Sequence, residues 1–201
     1  MSHPPRRLPL LFILSGPAGS GKTTLCHRLL SEFQGLRRAV TATTREPRFN
    51  EEDGRDYFFL PETEFEDIRR AGGFLESAEV HGRSYGTPRK EIVRHFDAGH
   101  DVLLSIDVQG MRQIKANAAA IDWLAGRVVT VFIRPPSLEE LRDRLRRRAT
   151  DDETEIERRI QTAREEMASA GEFDYVLETA TREEDFDRIR SIYLAEKMRV
   201  R

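Results

Sequence analysis

Eight residues near the N-terminus, Gly16-Pro17-Ala18-Gly19-Ser20-Gly21-Lys22-Thr23, match the phosphate-cradling pattern G-x-x-x-x-G-K-[ST] in full. The segment follows an apolar run, Leu10 to Leu14, suited to a strand buried on both faces, and it leads into a helical pattern. Its glycines let successive backbone N–H groups turn inward around a phosphate, and a helix starting near Lys22 adds the positive end of its dipole. Lys22 is spaced to reach the β- and γ-phosphates of a nucleoside triphosphate. The Thr23 hydroxyl is spaced to ligate Mg²⁺, with Thr24 next on the same turn. The alternative, a glycine-rich turn that holds nothing, has no use for the paired Lys22 and Thr23. The motif leaves open what receives the phosphoryl group.

A second set of residues has acceptor chemistry. Arg45 and Arg48, three apart around Pro47, can present two guanidinium forks to one phosphate, and Tyr57 and Tyr85 add phenolic donors. Each arginine taken singly reads as a solvated surface residue more readily than as a ligand, and it is the motif as a whole that reverses this. A third set, Arg142 to Arg159, interleaves with Asp143, Asp151, Asp152, Glu153 and Glu157, the pattern of a helix surface laced with ion pairs.

The elements that must position these groups follow from hydrophobic periodicity. Apolar runs at Val102 to Ile106, Val128 to Ile133 and Tyr175 to Leu177 join Leu10 to Leu14 as predicted strands. Between them lie helical stripes: Leu138, Leu141 and Leu145, with Ser137 and Glu140 as a capping box; Ile156, Ile160, Ala163 and Met167, opened by Thr150 and Glu153; and Phe186, Ile189, Ile192 and Tyr193, opened by Thr181 and Glu184. Buried strands alternating with amphipathic helices predict an α/β fold, a parallel sheet with helices on both faces. Residues 41 to 88 break the rhythm with short alternating pieces, a small and mostly antiparallel insertion carrying a helix near Thr63 to Ala71.

With 201 residues, 38% hydrophobic and 34% charged, the chain reads as one globular domain. Its 33 basic and 35 acidic residues leave a net charge of −2, which argues against a broad electrostatic grip on nucleic acid or membrane. Anions must therefore be held by local clusters. No apolar run reaches the length of a membrane span or a secretory signal, and Cys26 is the sole cysteine; both point to a cytoplasmic protein. The five histidines lack the grouping of a metal site, and His81 reads as loop structure.

Taken together the motifs resemble the guanylate kinase family over nearly the whole chain. The carriers are the phosphate loop, Thr43-Thr44-Arg45-Glu46-Pro47-Arg48, Asp53-Gly54-Arg55-Asp56-Tyr57, Phe74-Leu75-Glu76, Tyr85-Gly86-Thr87-Pro88 and Ile106-Asp107-Val108-Gln109-Gly110. The resemblance implies a P-loop NTPase-type core (8–40, 89–141 and 164–201), a small mixed α+β GMP-binding insertion (41–88) and a helical lid (142–163). It implies transfer of the γ-phosphoryl group of ATP to GMP, and to dGMP, with Mg²⁺. Gly16 to Thr24 would hold ATP. Arg45, Arg48, Tyr57 and Tyr85 would hold the GMP phosphate, and Thr41, Glu76, Thr87 and Asp107 would read guanine. Lys22, Arg45 and the lid arginines Arg144, Arg148 and Arg159 would be catalytic. Thr23 and Asp107 would serve the metal, directly or through water.

The base chemistry agrees: guanine offers N1–H and N2–H₂ donors to carboxylates, and adenine leaves such carboxylates unpaired. Glu76 as a surface strand residue and Asp107 as a plain helix N-cap are the competing readings. Three positions depart from the family pattern: Ser105 stands where an aspartate is usual, Thr179 where asparagine is frequent, and Ala149 where glycine is common. Two other functions remain open, a catalytically silent binding module and a kinase for another small phosphate ester.

Overall fold

The computed structural model describes residues 8–80, 82–147 and 152–200. Arg148, Ala149, Thr150 and His81 lie outside the described residues.

Two sheets organise the chain. The first is five-stranded and wholly parallel: β1 (Leu11–Ser15), β2 (Leu36–Arg38), β7 (Asp101–Ser105), β8 (Val128–Arg134) and β9 (Tyr175–Glu178), in the order β2-β7-β1-β8-β9. Helices cover both faces, as parallel strands with crossover connections require. On one face Leu11, Ile13, Val102, Leu104 and Phe132 pack against α3 (Arg89–Asp97) and α4 (Val108–Ala118) through Ile92, Phe96, Met111 and Ile114. On the other Phe12, Leu14, Leu103, Val131 and Ile133 pack against α1 (Lys22–Glu32) and α7 (Arg182–Met198) through Leu25, Cys26, Leu29, Phe186 and Ile189. Cys26 is buried there, and desolvation pushes its thiol up to about 11, in keeping with a packing role.

The second sheet, order β4-β3-β6-β5, comprises β3 (Thr41–Thr43), β4 (Tyr57–Phe59), β5 (Phe74–Val80) and β6 (Arg83–Pro88). Its β3–β6 and β5–β6 pairs are antiparallel and its β3–β4 pair is parallel. Helix α2 (Glu62–Arg70) closes a small separate core of Ala42, Phe65 and Phe74, in which the two phenylalanine rings stack at 4.5 Å. A β-bulge separates the pairs Phe74–Pro88 and Glu76–Thr87. It lets Phe74 face the small core, Leu75 enter the main core and Glu76 turn into a cavity.

Helices α5 (Leu138–Arg147) and α6 (Glu153–Ala168) bury Leu141, Leu145, Ile156, Ile160 and Ala163 against each other. The caps differ in detail from the sequence pattern. The Thr181–Glu184 box forms with both reciprocal bonds. Ser137 accepts the Glu140 N–H at 3.1 Å, but the Glu140 carboxylate turns to Arg144 at 2.5 Å, so the return arm of that box is missing. The start assigned to Thr150 and Glu153 is corrected: Asp152 caps α6, accepting from Glu155 N at 2.8 Å. Any of several adjacent acids could cap there, and the one next to the first helical residue does. No helix among the described residues is long and apolar enough to cross a membrane.

Candidate functional site

The phosphate loop sits between β1 and α1, and its glycines are there for space as well as for conformation. Gly16 has φ +136°, and a Cβ on it would lie 2.3 Å from the Ile133 carbonyl oxygen. At Gly19 (φ +90°) a Cβ would crowd Leu141 at 3.1 Å and Leu145 at 3.3 Å, so α5 rests directly on the loop. Gly21, in the left-handed region, is the N-cap of α1 and offers no side-chain cap. The first-turn N–H groups of that helix therefore lack the side-chain acceptor that usually satisfies them, and no acid occupies the turn. The Lys22 ammonium folds over the loop and donates to the carbonyls of Gly16 (2.5 Å) and Pro17 (2.9 Å). Ser15 and Ser20 bury hydroxyls without a hydrogen-bond partner among the described residues.

Beyond Gly19, Ser20, Gly21 and Thr24 opens a polar space of about 580 Å³, walled on the far side by Arg144, Arg147, Thr181 and Asp185. Arg144 reaches it from α5, held by Glu140 and by the buried Thr179 hydroxyl at 3.5 Å. Arg159 pairs with Glu155 on its own helix at 2.9 Å and lines none of the spaces described in this subsection. Arg142 and Arg146 are taken by Glu157 and Glu153, the ion-paired surface that the sequence suggested for the intervening arginines.

On the other side of the loop, a cavity of about 230 Å³ is lined by Thr41, Tyr57, Glu76, Tyr85, Ser105 and Asp107 among others. A neighbouring space of about 370 Å³ shares Thr41, Tyr57 and Ser105 with it and reaches Thr23 on α1. Five of the eight residues expected around an acceptor thus meet in one cavity. Thr87 is buried behind them and donates its hydroxyl to Glu76 Oε1 at 2.5 Å. Burial pushes Glu76 up to about 7; the Thr87 bond opposes this and the nearby Asp107 adds to it. Asp107 serves twice. Its Oδ1 accepts Gly110 N at 2.8 Å as the N-cap of α4, while the residue also lines the cavity.

Arg45 lies over the rings of Tyr57 (4.9 Å) and Phe59 (5.6 Å), with its fork engaged by Glu51 at 2.6 and 2.7 Å. The Arg48 side chain is exposed, and its backbone N–H also donates to Glu51, at 2.9 Å. Glu51 and Gln113, which clamps the backbone of Ser77, are absent from the sequence-derived set. Glu51 lies six residues from Arg45 in an irregular loop, and Gln113 lies 36 residues from Ser77. No periodicity links such pairs.

A parallel α/β sheet, a P-loop at the end of its central strand and a separate cavity lined by Thr41, Glu76 and Asp107 define a P-loop phosphotransferase acting on small molecules. The profile of the family described as guanylate kinase matches residues 9–196. The guanylate kinase of Nitratidesulfovibrio vulgaris is 45% identical over 192 residues, covering 96% of this chain and 89% of that protein. That of Caldanaerobacter subterraneus subsp. tengcongensis is 39% identical, over 95% and 89%. The crystal structure of guanylate kinase from Anaplasma phagocytophilum superposes with a TM-score of 0.73 at 34% identity, covering 96% of this chain and 89% of that one. The chain belongs to the guanylate kinase family.

Proposed function

We propose that this chain transfers the γ-phosphoryl group of ATP to GMP, giving ADP and GDP, and that dGMP is accepted as well. The observation that carries this reading is the pair of acids, Glu76 and Asp107, in a cavity that connects through a shared wall to Thr23 beside the phosphate loop. Acceptor-only carboxylates suit the N1–H and N2–H₂ edge of guanine, and the Thr41 hydroxyl suits a remaining polar atom, while Thr87, buried with its hydroxyl donated to Glu76, holds that carboxylate in place instead of reading the base itself.

In this reading the uncapped first turn of α1 and the loop N–H groups hold the β- and γ-phosphates, and the Lys22 ammonium leaves the Gly16 and Pro17 carbonyls to pair with those phosphates. Arg45, Arg48, Tyr57 and Tyr85 hold the GMP phosphate, whose oxygen is already a nucleophile, so no general base is needed. Arg144, with Arg148 and Arg159, neutralises charge on the transferring oxygens, where phosphoryl-transfer catalysis mainly resides. The Thr23 hydroxyl and Asp107 carboxylate are hard oxygen donors that fit Mg²⁺. They would hold it with few protein ligands beside the phosphates of ATP, and the ion would neutralise phosphate charge. We read 41–88 as the GMP-binding insertion and 142–163 as the lid, acting in the cytoplasm.

The test is ADP release with GMP, dGMP, AMP and a sugar phosphate as acceptors. Only the two guanine nucleotides should respond. Equal turnover of AMP would remove the guanine assignment, and ATP binding without turnover would leave a binding module.

A further inference from the structure

Helix α4 meets strand β5 at two places one turn apart. At Gly110 the helix carries no side chain, and a Cβ there would lie 2.9 Å from Glu76 Oε2, 3.2 Å from its Cδ and 3.3 Å from Asp107 Oδ1. At Gln113 both ends of the side-chain amide engage one residue's main chain: Ser77 N donates to Oε1 at 3.1 Å, and Nε2 donates to Ser77 O at 3.0 Å. β5 is an edge strand, so the outward N–H and C=O of Ser77 have no strand beside them. The Gln113 amide substitutes for that missing neighbour.

These contacts bear on a problem of distance. Glu76 belongs to the second sheet, whereas Asp107 follows β7 of the first and caps α4. Two donors on one purine edge need acceptors at fixed separation, and misplacement by about 1 Å erodes such recognition strongly. Helix α4 holds both acids, Asp107 through its own N-cap bond at Gly110 N and Glu76 through the bare surface of Gly110 and the clamp on the adjoining Ser77. Neither Gly110 nor Gln113 lines the cavity they govern.

We propose that Gly110 and Gln113 are positioning residues for guanine recognition, setting the spacing between Glu76 and Asp107. This rests on the reading of the site as a GMP kinase. A methyl group at 110 would drive the Glu76 carboxylate off the helix, and loss of the Gln113 amide would free β5 to slide along it. Both changes spoil the fit to the guanine 2-amino edge while leaving the ATP side untouched.

The experiment measures kcat and KM for GMP and for inosine 5′-monophosphate, which differs from GMP only in lacking the 2-amino group, in wild type, Gly110→Ala and Gln113→Met. The wild type should prefer GMP. Each variant should cut the GMP-to-inosine-monophosphate ratio of kcat/KM about 10-fold, the effect of a misplaced charged hydrogen bond. The loss should arise through KM for GMP, with KM for ATP within about twofold of wild type. Gly110 is helical without a positive φ, and alanine is the better helix former, so Gly110→Ala should lose discrimination without losing thermal stability. A merely structural role would lower stability and rate for both acceptors and leave the ratio alone. A wild-type ratio in either variant overturns the proposal. Absence of GMP turnover in the wild type is a separate result, and it counts against the GMP kinase reading itself.

Discussion

Glu51 holds the guanidinium of Arg45 with both oxygens, at 2.6 and 2.7 Å, in a pair whose side chains are only 14% and 18% exposed. The same carboxylate accepts the Arg48 N–H, so one acid shapes the loop that presents both candidate phosphate-binding arginines. The Arg45 bond, the Arg48 backbone N–H and their positive charge hold Glu51 down at about 2, against a usual 4.5. A carboxylate depressed in the fold stabilises it fully above its unfolded value and loses that contribution as pH falls toward the folded one. Glu51→Gln keeps an acceptor for Arg48 but removes the charge. It should cost about 1–2 kcal/mol at pH 7, between the values for exposed and buried pairs. Thermal melting should show the gap from wild type closing between pH 4.5 and pH 2; a gap constant with pH would mean the charge is not what stabilises the loop.

Glu76 shifts the other way and gives a prediction for binding. With its carboxyl raised to about 7, chiefly by burial, it is partly protonated near neutrality, whereas guanine's donors need the anion. KM for GMP should therefore rise as pH falls below 7, and GMP binding should release protons, detectable as a buffer-dependent heat in calorimetry. The GMP phosphate titrates near pH 6 on its own account. Glu76→Gln isolates the carboxyl: it should raise KM for GMP about 10- to 100-fold and flatten the pH dependence above 6.5. Without GMP, the folded chain binds more protons than the unfolded between about 4.5 and 7, so this group makes stability fall as pH rises through that window.

How much of this could be read from the chain follows from what each contact depends on. Strands β1, β7 and β8 show as apolar runs because both their faces are buried. Edge strand β2, Leu36–Arg38, does not, since it is three residues long, buries Leu36 alone and ends in two arginines. The phosphate loop is local and therefore fully legible, whereas the acceptor cavity is assembled from β3, β4, β5, β6 and the end of β7. Tyr57 and Tyr85 are legible as phenolic donors near the candidate arginines, but Thr41, Glu76 and Asp107 can be named only through the family resemblance. Glu51 and Gln113 were not named at all, because their roles are fixed by tertiary contact.

Lys22 lies across its own loop, donating to Gly16 and Pro17 carbonyls, so the loop already places an ammonium at its rim. The charge is wanted most when the γ-phosphoryl group is in transit. Lys22→Ala should lower kcat by about 10²- to 10³-fold, comparable with the loss of a preorganised electrostatic group elsewhere. GMP binding, measured by calorimetry without ATP, should stay at the wild-type level, since the acceptor cavity does not include Lys22. Weakened GMP binding would show that the two sites are not separate.

Arg144 offers the sharpest separation of catalysis from structure. Its visible bonds are an ion pair with Glu140 one helical turn away, on a half-exposed carboxylate, and a long 3.5 Å contact to Thr179. Pairs of that kind contribute about 0.3–0.5 kcal/mol, so Arg144→Ala should barely change the melting temperature. Arg144 also lines the space beyond Gly19 and Gly21, where α5 rests on the phosphate loop. If its guanidinium neutralises the transferring group, the substitution should reduce kcat at least 100-fold with KM for GMP unchanged. Arg144→Lys should recover only part of that loss, because an ammonium lacks the planar fork. A variant with wild-type kcat would confine Arg144 to the ion-paired surface of its helix.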